Sequence, residues 1–182
     1  MLKKILLVLG ALVVVLLVAI AMQPGTYHVE RTMTMAAPAD AVYAQVADFH
    51  KWDAWSPWAK LDPACKNTFE GAASGEGAVF AWDGNDQVGA GRMTITAAKP
   101  SEHVGIRLDF LRPFADTAQS DFRFQSVGGG GNAATSVTWS MDGKNNFIGK
   151  AFCLFMDMDK MIGDAYVQGL TSIKSIVEKP AK

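Results

Sequence analysis

Hydrophobic and polar positions follow three rhythms along the 182-residue chain. Residues 5–22, ILLVLGALVVVLLVAIAM, are apolar without a charge. As a helix this run is about 27 Å long, close to the hydrocarbon thickness of a bilayer. Residues 27–35, YHVERTMTM, alternate with period two and predict a strand. Tyr27, Val29, Met33 and Met35 share one face, and Arg31 is a charge set into it. APADAVYAQVADF then predicts a helix, with Pro38 in its first turn and Val42, Val46 and Phe49 on its buried face. WDAWSPW follows, placing Trp52, Trp55 and Trp58 at every third position around Pro57. Residues 66–71, 77–83, 88–99, 102–112, 116–127 and 133–142 read as six strands, split by AASGEG, DGN, PSE, PFAD and GGGGN. The connections are too short for helical crossovers, so the sheet is an antiparallel meander.

The last rhythm is helical. In FMDMDKMIGDAYVQGLTSIKSIVEK, 155–179, Phe155, Met158, Ile162, Tyr166, Gly169, Ile173 and Val177 form one stripe. Asp157 and Asp159 complement the dipole at its start, Lys174 and Lys179 do so near its end, and Pro180 stops it. One apolar sheet face and one matching helix stripe make a two-layer α+β domain. Met158 and Met161 lie beside Gly163 and Gly169 on this helix. A helical glycine costs about 1 kcal/mol against alanine. Either backbone approaches closely there, or space is left for a guest. The facing sheet residues are Met93, Ile95, Phe110, Phe122, Phe124 and Trp139. Adaptable methionines in such company predict an apolar cavity; a dry, fully packed core is the alternative.

Charge adds a direction. Lys3 and Lys4 precede the apolar run, so the positive-inside rule keeps the N-terminus cytoplasmic and sends the domain across the membrane. That makes a single-pass protein with an extracytoplasmic domain, periplasmic in a Gram-negative cell. Ala-Ile-Ala at 19–21 also has the form of a signal-peptidase site, and cleavage after Ala21 would release the domain. The chain divides into an anchor, 1–23, a linker, 24–26, and a domain, 27–180. Beyond Lys4, 15 of the 17 Lys and Arg remain against 18 Asp and Glu, with no basic stripe, which argues against nucleic acid. Cys65 and Cys153 permit either one disulfide or two free thiols.

Catalytic and metal motifs are scarce. His28, His50 and His103 are scattered without metal-ligand spacing, so no metal or other cofactor is expected. GGGG at 128–131 lacks the Lys-Ser/Thr of a phosphate loop and reads as a hairpin turn. Arg31 is the one weak catalytic candidate, with Glu70, Asp83 and Asp109 as conceivable partners. A structural ion pair explains it equally well.

The layout, WSPW after the first helix, the VTWSMDG strand and the FMDMDKMIGDAYVQGL helix start together resemble the START/polyketide-cyclase-like (SRPBCC) superfamily. The likeness is to its small membrane-anchored bacterial members and covers residues 27–179. It implies a helix-grip fold, a curved antiparallel sheet wrapped around a long C-terminal helix, with a deep hydrophobic cavity between them. It also implies a ligand among the lipids, sterols, polyketides or hormones that its members bind, with cyclisation or dehydration catalysed by a minority of them. No fixed catalytic motif belongs to the superfamily, so none carries over. The residues expected at the guest are Trp55, Trp58, Met93, Phe110, Phe122, Phe124, Trp139, Met158, Ile162 and Tyr166. The leading expectation is a membrane-tethered binding protein for a hydrophobic small molecule. A cyclase or dehydratase acting on a similar guest, and a packed interaction domain, are the alternatives.

Overall fold

The computed structural model describes residues 1–128 and 133–179. The glycines from 129 to 131 and the predicted stop at Pro180 lie outside the described residues. The apolar run forms α1, Leu2–Ala21, a helix long and apolar enough to cross a membrane. β1, Thr26–Met35, follows, then α2, Ala39–Val46, and a 3-10 helix, Phe49–Ala54. The meander is β2, Lys66–Gly71; β3, Ala78–Asp83; β4, Ala90–Lys99; β5, His103–Arg112; β6, Asp116–Ser126; and β7, Thr135–Lys144. Two helices close the chain, α3, Phe147–Phe155, and α4, Met158–Val177.

The strands form one seven-stranded antiparallel sheet in the order β1-β7-β6-β5-β4-β3-β2. Each strand in the meander pairs with its chain neighbour, as its short turns require, and β1 closes the far edge against β7. The predicted fold class holds: α+β, a curved sheet gripping a C-terminal helix.

Register fixes which turns share an end of the sheet. Thr26 pairs with Lys144, Phe110 faces Asp116, Ala90 faces Arg112, and Lys66 faces Asp83. The start of β1, the β5–β6 and β3–β4 turns, the start of β2 and the end of β7 therefore lie at the same end of the sheet. α1 enters at this same end through Gln23, Pro24 and Gly25. Asn145 holds it there, its Nδ2 donating to Pro24 O at 3.1 Å and its backbone N–H to Gly25 O at 2.9 Å. Lys150 Nζ donates to Ala21 O at 3.2 Å, and Ile20 is buried.

The long terminal helix is a correction. A single helix over 155–179 was expected, but the chain breaks at Met156, which is extended at φ −131° and ψ 133°. The break is written in caps. Asn146 accepts from Gly149 N–H to start α3, and Asp157 accepts from Lys160 N–H to start α4. Asp157 is thus a capping residue outside the helix rather than a charge in its first turn. Phe155 belongs to α3 and leaves the predicted stripe.

Candidate functional site

The core divides along α4. Its C-terminal half packs solidly, with Leu170 and Ile173 fully buried among Val42, Val46 and Val104. Its N-terminal half presents Ile162 and Tyr166 to a cavity of about 390 Å³ between helix and sheet. This lies within the range of small-molecule sites. Phe80 and Trp82 of β3, Met93 of β4, and Ile106, Leu108 and Phe110 of β5 form its floor. Trp139 and Met141 of β7 form the side under α4. Phe49, Trp52 and Trp58 roof it. At the rim stand Asn67, Asp86, Gln87, Arg112 and Pro113, all exposed. These rim residues belong to the end of the sheet at which α1 enters, so the cavity opens toward that end.

Of the ten residues expected at the guest, six line this cavity: Trp58, Met93, Phe110, Trp139, Ile162 and Tyr166. Four others lie elsewhere. Trp55 is buried behind the wall, edge-on to Phe122 and Trp139. Phe122 is fully buried and stacks on the far side of Trp139, with ring centres 4.6 Å apart. Phe124 turns toward α2 and meets Tyr43 edge-on at 5.8 Å. Met158, in the first turn of α4, does not reach the cavity.

The tryptophans diverge for a physical reason. The last carbonyls of α2 have no intrahelical donor. Trp52 Nε1 donates to Val46 O at 2.9 Å and Trp55 Nε1 to Gln45 O at 3.1 Å. Two indoles thereby close the end of α2, and only Trp52 also shows a face to the cavity. No three-ring cage forms around one point.

One polar cluster in the wall was missed. Ser120 lies on the inner face of β6, buried and lining the cavity. Its hydroxyl accepts from Trp139 Nε1 at 2.9 Å and donates to Ser140 O at 3.0 Å. The signal was available: a serine at i−2 from Phe122 on an apolar strand face. Tyr166 stacks on Trp139 with ring centres 3.8 Å apart and planes 9° from parallel. Burial raises the Tyr166 phenol well above its ordinary pKa.

Both helical glycines are explained by close approach. A Cβ on Gly163 would lie 2.0 Å from Arg31 Nη2, and one on Gly169 would lie 2.8 Å from Trp139 Cζ3. Neither position leaves room for a guest. Arg31 passes over Gly163 to Asp159, with Nη2 to Oδ2 at 2.9 Å and Nη1 to Oδ1 at 3.2 Å. That bidentate pair lowers the Asp159 pKa through its hydrogen bond and raises that of Arg31. The suggested partners are engaged elsewhere: Glu70 with Arg92, Asp83 with Arg112 and Asp109 with Arg107. Arg31 is not in the cavity wall and ties β1 to α4.

Cys65 and Cys153 are free thiols, the first in the cavity wall and the second on α3. Among the described residues, no three His, Cys, Asp or Glu side chains converge as a metal site.

Comparison with known proteins agrees with this geometry. None of the curated proteins compared matches the sequence. Solved structures do match, at identities that establish the fold alone. The major latex-like protein 151 of Panax ginseng superposes with a TM-score of 0.59 at 15% identity, over 86% of this chain and 100% of that one. A START superfamily protein from Mycobacterium smegmatis gives 0.56 at 15% identity, over 83% and 97%. The Aha1 protein of Colwellia psychrerythraea gives 0.59 at 13%, over 86% and 99%. The sequence of residues 26–178, from the first residue of β1 to the turn after α4, matches a single family over its whole length. With the apolar cavity between sheet and helix, that match places the chain in the polyketide cyclase / dehydrase and lipid transport family.

Proposed function

We propose that the protein is a membrane-tethered binding module that holds one hydrophobic small molecule, of lipid, isoprenoid or polyketide-like character, between the sheet and α4. The observation that carries this reading is the apolar cavity of about 390 Å³ with an open rim. Its driving force is burial. Removing about 300 Å² of apolar guest surface from water favours binding by about 7 kcal/mol before association losses. Three of the wall's four indole N–H groups, those of Trp139, Trp52 and Trp82, are already held by Ser120, Val46 and Val88. Such a wall grips by shape and apolar contact, which favours carriage over cyclase or dehydratase chemistry on the same guest.

α1 serves as a retained anchor with Lys3 and Lys4 on the cytoplasmic side. The contacts of Ile20 and Ala21 with the domain support retention over cleavage after Ala21. Native mass spectrometry of gently purified full-length protein tests the binding reading. A stoichiometric apolar adduct is expected, and its absence under conditions that preserve the fold would overturn the proposal. The same spectra read the N-terminus, where a chain starting at Met22 would refute the anchor.

A further inference from the structure

α3 is out of place on a water-soluble surface. FIGKAFCLF carries one charge, Lys150, and none of its residues is buried. Phe152 and Phe155 are exposed, and Met156 continues them into the break before α4. They do not stand alone. Phe114, in the β5–β6 turn, meets Phe152 with ring centres 6.0 Å apart, and Leu111 beside it is exposed. Met161 in the opening turns of α4 is exposed as well. Scattered exposed apolar residues are ordinary, but a contiguous collar of large ones marks an interaction surface.

The location selects the partner. The collar occupies the end of the sheet where α1 enters. α3 packs against α1, and Lys150 bonds the carbonyl of Ala21, the last residue of α1. Only Met22, Gln23, Pro24 and Gly25 separate α1 from the sheet. If α1 lies in a bilayer, the collar lies at that bilayer's surface. The rim of the cavity, with Arg112 and Pro113 next to Phe114, lies at this end too.

We infer that α3 and the β5–β6 turn form a second membrane contact, an apolar collar seated in the interfacial layer of the bilayer that α1 spans. The collar holds the cavity mouth against the lipid, so a guest passes between bilayer and cavity without crossing bulk water. This rests on the tethered reading above. A short apolar helix lying in the interface suits Phe side chains directed into the acyl boundary.

Photocrosslinking of the full-length protein in phosphatidylcholine vesicles tests the collar. p-Benzoylphenylalanine is placed singly at Phe155, Phe114, Leu12 and Val127, and adducts are read by mass. Leu12, in the middle of α1, reports the anchor. Val127, exposed at the opposite end of β6, reports the far side of the domain, about 35 Å away at about 3.3 Å per residue. Phospholipid adducts are expected at Leu12, Phe155 and Phe114, and background at Val127. Lipid at Leu12 with background at Phe155 and Phe114 would overturn the collar while leaving the tether intact. A protein–protein adduct at Phe155 would assign the surface to a second copy of the chain and equally overturn it. Background at Leu12 as well would refute the tether and the collar with it.

Discussion

Trp139 shows how single side chains set the boundary between core and cavity. It lies between Phe122 and Tyr166, with its N–H held by Ser120. Replacing Ser120 with alanine leaves a buried indole donor unpaired and should lower stability by about 1–3 kcal/mol. A urea titration followed by circular dichroism would show it; an unchanged midpoint would remove Ser120 from the account. Gly163 gives a sharper test. Gly163→Ala sets a methyl against the Arg31 guanidinium, which should mask alanine's helix preference. In an Arg31→Ala background the same change should stabilise by up to about 1 kcal/mol. Equal effects in both backgrounds would contradict the close approach. At this scale the sequence was half readable. It showed that Arg31 was anomalous and that Gly163 and Gly169 needed compensation. It could not show that they compensate with Arg31 and Trp139 respectively, because those contacts join residues more than a hundred positions, or tens of positions, apart.

At the level of elements, strand periodicity carried most of the fold. Alternation marked β1, β5, β6 and β7, where one sheet face is buried and the other wet, and turn residues bounded the remaining strands; all seven fall within about two residues of the predicted ranges. The terminal helix was less legible. Apolar residues continue from Phe147 to Met161 on both sides of the break, and a helical stripe alone does not show where one helix ends. Asn146 and Asp157 were the available signals, one overlooked and the other read as a dipole partner. The two roles separate experimentally. A cap tolerates Asp157→Asn and loses about 1 kcal/mol in Asp157→Ala, whereas a dipole partner loses stability in both. The divergence of Trp52 and Trp55 has a similar origin. Equal sequence spacing was overridden by two orphan carbonyls at the end of α2.

The whole molecule has a closed half and an open half. Its closed half is held by Leu170, Ile173 and α2, and its open half faces the end from which α1 leaves. Titration should sense the buried phenols. Burial pushes the Tyr27 pKa from 10.0 up to about 12, and the nearby Asp116 and Asp142 add to the shift. The folded state thus retains this proton more tightly than the unfolded chain does. The contribution is whole below pH 10 and is lost as pH rises toward 12. Tyr27→Phe should flatten that part of an alkaline unfolding profile, and an unchanged profile would remove Tyr27 as a cause. On the acid side, Asp109 and Asp159 have pKa values lowered by hydrogen bonds from Arg107 and Arg31. Their contribution is present above the ordinary aspartate range and is lost as pH falls through it and below.

The central claim is that an oily guest occupies the space beneath Ile162 and Tyr166. Energy transfer from the protein's tryptophans to cis-parinaric acid tests it most directly, because Trp52, Trp58, Trp82 and Trp139 line that space. The full-length protein should show saturable transfer with one site per chain. Leu108→Trp, which fills the floor from β5, should abolish saturation while the protein keeps its circular dichroism spectrum. Transfer that never saturates, or that saturates equally in the folded Leu108→Trp variant, would contradict a guest in the cavity.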